Sequence, residues 1–527
     1  MRRPPVAAIA EGAPATPRDA PRERVLTSTL SAVAIGLAFT VYAFVVDFSA
    51  LGWEDEAWFL DVVHRVATGD TLYKDVWYGS TPLAVYAALG PVAAFGAEIA
   101  WVKLLVALSC GASATLAVLI ARRLGIRQIA LVVLALAAYV CPAGFTPAPY
   151  QPLATTFLLA CFLATLAWLQ GGRPWSLAVV AGIAAGLALS AKYTVGLLGL
   201  GAAAVVILAA SGGVRARLGA VALATAACIA TAALVLAPAL VQSPGAIWDS
   251  AFAAKGSYVQ RGSISFFGGL RYAASRVGDP SFNASIRFVA VYWTALFVVT
   301  LLAIGATAWI AAQCRGERRL EAVAVLLFVA AGLGTAYPRF DYSHLLFAAP
   351  VIVVGAGYAL TRLGGRLAGR RAHVLLGGVL ALPVIVLLAR PPALVISGGE
   401  RLSGLPHFRL ALVDGSEERE VERGAAALRR AANGKRLFLV FSRAGLFYLT
   451  SGVRNPTRYD YPLVSAVGTS GQDAIIRALA DRRLTRLCLG ERSGARFSLD
   501  RLIAFVHNRL APGPWLGPCR LYRVRPP

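Results

Sequence analysis

The segment LTSTLSAVAIGLAFTVYAFVV, residues 26–46, followed closely by Trp53-Glu54-Asp55-Glu56-Ala57-Trp58-Phe59-Leu60, decides the fold. The apolar run matches the roughly 20 residues that a helix needs to cross the hydrocarbon core of a bilayer. It is too long for a signal-peptide core, and no convincing small-residue cleavage site lies between it and Trp53. It is therefore expected to remain as a first membrane span. Ahead of it, residues 1–25 are rich in Pro, Ala and Arg and read as a short disordered cytoplasmic tail. Behind it, three carboxylates stand together at a membrane surface.

Working outward, the same pattern recurs. Of 527 residues, 57% are hydrophobic and 15% charged, against roughly 25% charged in a soluble domain. Mean hydropathy is +0.65. Apolar runs predict about 11 spans, near 26–46, 99–121, 128–145, 150–169, 175–190, 193–211, 218–240, 286–312, 320–336, 342–361 and 372–390. The expected fold class is mainly α: a polytopic transmembrane helical bundle over residues 26–390 with a small extracytoplasmic α/β domain over 391–527.

The net charge of +24 has a membrane explanation. With the N-terminus inside, Arg2, Arg3, Arg18, Arg22 and Arg24 fall inside, followed by Arg122, Arg123 and Arg127. Arg173, Arg215, Arg217, Arg315, Arg318, Arg319, Arg362, Arg366, Arg370 and Arg371 follow on the same side. Every expected inside loop is basic, as the positive-inside rule demands, so nucleic acid is not an expected partner. Richness in Ala, Arg and Gly suggests a GC-rich bacterial genome and hence the bacterial cytoplasmic membrane. An odd number of spans places residues 391–527 outside.

In that tail, strand-like runs Leu437–Phe441, Thr485–Leu489 and Arg520–Val524 alternate with helical patterns near 416–432, 471–482 and 498–510, the signature of an α/β domain. Cys488 and Cys519 lie there, outside the membrane, where a disulfide is permitted; whether they are bridged stays open. Neither a CxxC or His cluster nor a GxGxxG or GxxxxGK[ST] loop is present, so structural zinc and nucleotide chemistry are unsupported.

Candidate chemistry gathers on the outer side. Glu56 to Ala67 suits a helix lying in the interface with Trp58 at headgroup depth. Glu54, Asp55 and Glu56 would then stand where water meets lipid, and a carboxylate held there can act as a general base. The competing reading makes Asp55 a helix N-cap with Glu56 placed against the dipole. Lys192 interrupts an apolar stretch and either snorkels at a short turn or contributes a cation. The loop 241–285 carries Lys255, Arg261, Arg271 and Arg276 against Asp249 and Asp279. Arg339 and His344, in Tyr337-Pro338-Arg339-Phe340-Asp341-Tyr342-Ser343-His344, can donate to a phosphate, or Asp341 can simply pair with Arg339. Carboxylates for a base and cations (Lys192, Arg339, His344, Arg261) for a leaving phosphate suit sugar transfer from a polyprenyl phosphate.

The first span, the Glu54-Asp55-Glu56 loop, Gly69-Asp70-Thr71-Leu72-Tyr73-Lys74-Asp75 and Ser80-Thr81-Pro82-Leu83 together resemble the GT-C superfamily of integral-membrane glycosyltransferases. Protein O-mannosyltransferases and lipid A aminoarabinose transferases belong to it. The stretch ending at Lys192, the Arg339-x-Asp341-x-x-His344 run, and Leu446-Phe447-Tyr448-Leu449-Thr450 with Asn455-Pro456-Thr457-Arg458 are similar to segments of bacterial members. The resemblance implies a lipid-linked sugar donor, an extracytoplasmic acceptor and Asp55 as base or acceptor-orienting group, with Glu54 or Glu56 as alternatives. Metal use varies in the superfamily, so no cofactor is fixed and a divalent metal is possible. In the aminoarabinose branch a lysine precedes the Pro-Pro-Leu-like run; here Gly79-Ser80-Thr81 precedes Pro82, which leaves the acceptor open. A transporter or flippase of lipid-linked glycans, or a non-catalytic envelope scaffold, is the alternative.

Overall fold

A computed structural model of the protein describes residues 22–48, 54–140, 149–253, 263–279, 284–363, 370–490 and 498–525. The helices that build the first part of the bundle are α1 (Arg22–Phe48), α2 (Asp55–Ala67), α3 (Leu83–Phe95), α4 (Ile99–Arg123), α5 (Ile129–Val140), α6 (Tyr150–Gln170), α7 (Trp175–Ala191), α8 (Tyr193–Ala209) and α9 (Val214–Gln242). Helices Phe266–Gly278, Ala284–Gln313, Gly316–Leu333, Ala349–Leu363 and Arg370–Ile396 complete it. Each predicted span overlaps one of these helices, with residues 141–145 of the third outside the described residues. Among the described residues, seven helices are long and apolar enough to cross a membrane, and four shorter apolar ones (Leu83–Phe95, Ile129–Tyr139, Trp175–Ala191, Tyr193–Ala209) lie among them. The chain is a multi-pass membrane protein.

Lipid offers no hydrophobic drive for one helix to leave it for another, so close approach of small residues carries the packing. Gly36 of α1 and Gly111 of α4 meet in this way. A Cβ on Gly111 would stand 2.5 Å from the Gly36 carbonyl oxygen, and one on Gly36 would stand 2.8 Å from that of Gly111.

Side-chain bonds separate the two ends of the bundle. At one end Arg123 reaches Gln170 (3.4 Å), Gln170 donates to Glu321 (2.9 Å) and Arg362 pairs with Glu321 (3.5 Å). Arg173 binds Ser211 nearby in sequence (2.8 Å). These belong to the arginine-rich turns that the sequence assigns to one side. The opposite end carries α2, the α7–α8 corner and the segment 334–344.

The tail forms a four-stranded sheet in the order β3-β4-β6-β5, from β3 (Phe438–Val440), β4 (Arg486–Leu489), β5 (Leu510–Trp515) and β6 (Arg520–Val524). A small antiparallel pair, β1 (Arg401–Leu402) with β2 (Leu412–Val413), precedes it. Only β3 and β4 run parallel, and helices Gly415–Ala432, Ala444–Ser451, Val464–Ala480 and Asp500–Arg509 pack around them. Three strands lie where the sequence places them. The fourth, β5, is hidden by Pro512 and Pro514, which remove ladder donors and are tolerated because the strand is an edge with a register shift.

Cys488 on β4 and Cys519 beside β6 are disulfide-bonded across 31 residues, with both residues fully buried. Closing a loop of that length stabilises a fold by about 3–4 kcal/mol in the chain-entropy treatment. Non-reducing proteolysis and mass spectrometry should find the linked peptide, and Cys519→Ala should lower the unfolding free energy of the tail domain by about that amount. Two free thiols in the native protein would contradict this.

Candidate active site

Helix α2 opens the segment after the first span, and its environment differs from the interfacial helix that the sequence suggests. Glu56, Ala57, Trp58, Phe59, Leu60, Asp61, Val62 and Val63 are all buried. Helices α3 and α4 cover part of α2, and the tail helix Ala444–Ser451 covers another part. Trp58 stacks on Tyr461 at 5.3 Å and lies 5.9 Å from Trp77. The tail helix comes so close that a Cβ on Gly445 would stand 2.7 Å from the Cα of Trp58, which only glycine allows.

The three acids consequently occupy different surroundings. Glu54, not Asp55, is the N-cap residue of α2, and its side chain makes no capping bond; it is exposed. Asp55 is half-buried in the first turn, at the positive end of the helix dipole. Glu56 is fully buried and pairs with the equally buried Lys103 of α4 at 3.4 Å. Lys103 also donates to the Asp47 carbonyl oxygen at 2.7 Å, so one cation joins the ends of α1, α2 and α4.

Two turns along α2, Arg65 binds Asp70 at 2.7 Å and Asp460 of the tail at 2.6 Å, and donates to the carbonyl oxygens of Asp75 (2.8 Å) and Thr457 (3.2 Å). Asp61 faces the same cluster. Burial and the neighbouring Asp460 push its pKa well above the ordinary carboxylate range, with Arg65 pulling the other way. Burial raises Asp460 as well, against Arg65 and Asn455. For Arg65 itself burial opposes the charge, but Asp460, Asp61 and Asp70 outweigh it and its pKa rises. Sequence reasoning passed over Arg65, Asp61 and Lys103; the signal for Asp61 was a lone acid within Trp58-Phe59-Leu60-Asp61-Val62-Val63.

From α2 the loop leads to the cationic groups. Tyr73 donates to the Ser80 carbonyl oxygen at 2.7 Å, Ser80 to that of Ala191 at 2.9 Å and Thr81 to that of Leu189 at 2.8 Å. These bonds fasten the Ser80-Thr81 motif to the end of α7, beside Lys192. Lys192 is the single extended residue between α7 and α8. It does not snorkel: it is 6% exposed, and its ammonium donates to the Thr335 carbonyl oxygen. Thr194 donates to Gly334 (3.3 Å), so the corner docks on the segment that carries Arg339 and His344.

Within that segment Asp341 organises its neighbours. It accepts from Arg339 Nε, from Ser343 Oγ (2.6 Å) and from the His344 backbone N–H (3.0 Å), capping a short turn, and it holds His344 Nδ1 at 2.6 Å. Burial disfavours its charge, but His344, Ser343 and Arg339 outweigh that and hold its pKa well below the usual range. With Nδ1 engaged, Nε2 is the imidazole nitrogen left for a ligand. Ile264 of the long loop bridges the same segment, with Ile264 N to Pro338 O at 3.3 Å and Phe340 N to Ile264 O at 2.9 Å. Arg261 and Lys255 lie outside the described residues.

The carboxylate loop, Lys192 and the Arg339–Asp341–His344 cluster thus occupy one end of the bundle, linked by successive contacts. A second path runs from Tyr78 to Tyr150 at the start of α6 (6.3 Å) and from Thr155 of α6 to the Phe347 carbonyl oxygen (2.8 Å), one turn past His344. Among the described residues, no group of three or more His, Cys, Asp or Glu side chains is arranged to hold a metal ion.

Two stability tests follow. Lys103→Met strands a buried carboxylate and should cost about 3–5 kcal/mol, visible as a lowered Tm in detergent, while Lys103→Met with Glu56→Gln should recover most of it. Equal Tm for single and double variants would deny the pair this role. Because the fold favours protonated Asp61, its contribution falls as pH rises above the unfolded carboxylate value toward the raised one. Asp61→Asn should therefore stabilise the protein at pH 7, with the gain vanishing as pH falls to the unfolded carboxylate value; a pH-independent effect would contradict the assignment.

No family model and no curated protein sequence matches the chain. Its structure is similar to that of ArnT from Cupriavidus metallidurans bound to undecaprenyl phosphate, at 15% identity, covering 95% of this chain and 98% of that one with a TM-score of 0.54. It is also similar to the Archaeoglobus fulgidus oligosaccharyltransferase in complex with zinc and sulfate, at 10% identity, covering 88% and 68% of the two chains with a TM-score of 0.50. The likeness is one of fold.

Proposed function

We propose that the chain is a glycosyltransferase that moves a sugar from a polyprenyl-phosphate donor to an acceptor at the outer face of the bacterial cytoplasmic membrane. The observation that carries this reading is the placement of the acidic helix start, Lys192 and the Arg339–Asp341–His344 cluster toward the same end of the bundle. Similarity over nearly the whole chain to a protein bound to undecaprenyl phosphate supports the donor class.

Asp55 is the base we assign. Its carboxylate takes the proton from an acceptor hydroxyl, the hydroxyl oxygen bonds to the anomeric carbon, and the bond from that carbon to the donor phosphate oxygen breaks. The electron pair leaves with the polyprenyl phosphate, whose growing negative charge is met by Lys192, Arg339 and His344, with Arg261 a further cation on sequence grounds. Asp341 keeps His344 and Arg339 in place. Glu56 is committed to Lys103 and serves the architecture; Glu54 is the alternative acid, exposed at the helix start.

The test is an assay of purified protein with a panel of polyprenyl-phosphate sugars, followed by mass spectrometry of envelope lipids and glycans in a deletion strain. Asp55→Asn should lower transfer by about 10²–10⁴-fold, the usual worth of a general base, at unchanged Tm. Full activity in that variant would remove Asp55 from the mechanism. Translocation of the lipid-linked sugar without transfer would favour a flippase instead.

A further inference from the structure

A cleft of about 780 Å³ opens between the membrane domain and the tail, lined by Trp77, Asp249, Arg458, Tyr459, Ser465 and Ser470 among others. Its size lies in the range of ligand sites, roughly 300–1,000 Å³. Three separate parts of the chain supply its walls: the first outer loop, the turn Trp248–Ala253 and the tail. Arg458 and Tyr459 belong to or adjoin the Asn455-Pro456-Thr457-Arg458 motif, which the transfer mechanism leaves unused.

The motif is held firmly. Asn455 Oδ1 accepts from Thr457 N (2.8 Å) and Oγ1 (3.0 Å), and Asn455 Nδ2 donates to the Tyr459 carbonyl oxygen (3.0 Å) and to Asp460 (2.7 Å). Asp460 in turn takes the Arg65 ion pair, and Trp77 N donates to the Arg458 carbonyl oxygen at 2.6 Å. Arg458 lies over the Tyr459 ring at 5.7 Å and donates to Ser250, yet its buried Nε has no hydrogen-bond partner among the described residues.

An aromatic pair beside a carboxylate, a guanidinium and two hydroxyls is the equipment for a saccharide. Sugar C–H faces lie on rings, and vicinal hydroxyls meet planar bidentate groups. Residues in or next to its lining pack against neighbours of the candidate site. Trp77 packs on Trp58, one turn from Asp55, and Phe252 packs on Tyr193 at 5.1 Å, next to Lys192.

We propose that this cleft binds the saccharide portion of the acceptor and presents its hydroxyl to Asp55. The proposal rests on the transferase reading for its role, but binding is measured apart from transfer. Full-length protein in detergent, with gluco-, galacto- and manno-trisaccharides as probes, is followed by saturation-transfer NMR. At least one trisaccharide should bind, and Asp249→Ala and Tyr459→Ala should each weaken it about tenfold at unchanged Tm. In the transfer assay both variants should raise the acceptor KM similarly and leave the donor KM unaltered. No binding by any trisaccharide, or equal affinity in wild type and both variants, overturns the proposal. Binding without transfer to any acceptor upholds the saccharide site and refutes the transferase reading.

Discussion

Arg65 holds one end of the molecule together. One guanidinium bridges α2, the loop carbonyl of Asp75, and Asp460 in a domain almost four hundred residues away. Taken alone, a buried ion pair is weak evidence for stability, because desolvating both charges offsets much of their attraction. Its value here is geometric. A planar fork with several donors fixes direction as well as distance, so α2 cannot slide relative to the tail without stranding Asp460 and Asp61 in a dry pocket. The tail therefore acts as a roof over α2 and the loop after it, and the acids on α2 have the environments they have because that roof is closed.

Much of this architecture is written in local pattern. Spans follow from hydropathy because lipid leaves the backbone no alternative to a helix, and the side of each loop follows from arginine placement. In the tail, three strands and the helices between them are legible from short periodic runs. Helix α2, the Lys192 corner and the 334–344 segment lie toward one end of the bundle, away from the Arg123–Gln170–Glu321–Arg362 contacts. Beyond local pattern the sequence is silent. Nothing near Trp58 says that Gly445 will press on it, so α2 reads as an exposed interfacial helix when it is covered. Lys103 looks like a charge near the start of a span until Glu56, 47 residues earlier, is found beside it. In β5, the two prolines that make an acceptable edge strand also erase the alternation by which strands are recognised.

The same contrast sorts the candidate acids. A base for an acceptor hydroxyl must be ionised, reachable by substrate and fixed. Glu56 is ionically committed and sealed from solvent; Asp61 sits where burial and Asp460 favour its protonated form. Glu54 meets water, but no bond to the helix start fixes its side chain. Asp55 alone combines partial exposure with a first-turn position on a helix anchored at both ends, by Lys103 through Glu56 and by Asp460 through Arg65. Four acids lie within eight residues, yet the fold leaves Glu54 exposed and Asp55 half-buried and commits Glu56 and Asp61 to the buried side of the helix. Catalysis by positioned groups depends on that immobility, since misplacement by about 1 Å can cost on the order of a hundredfold in rate. In the proposed mechanism the buried charges of α2, which contribute little net stability, hold Asp55 in place on the helix.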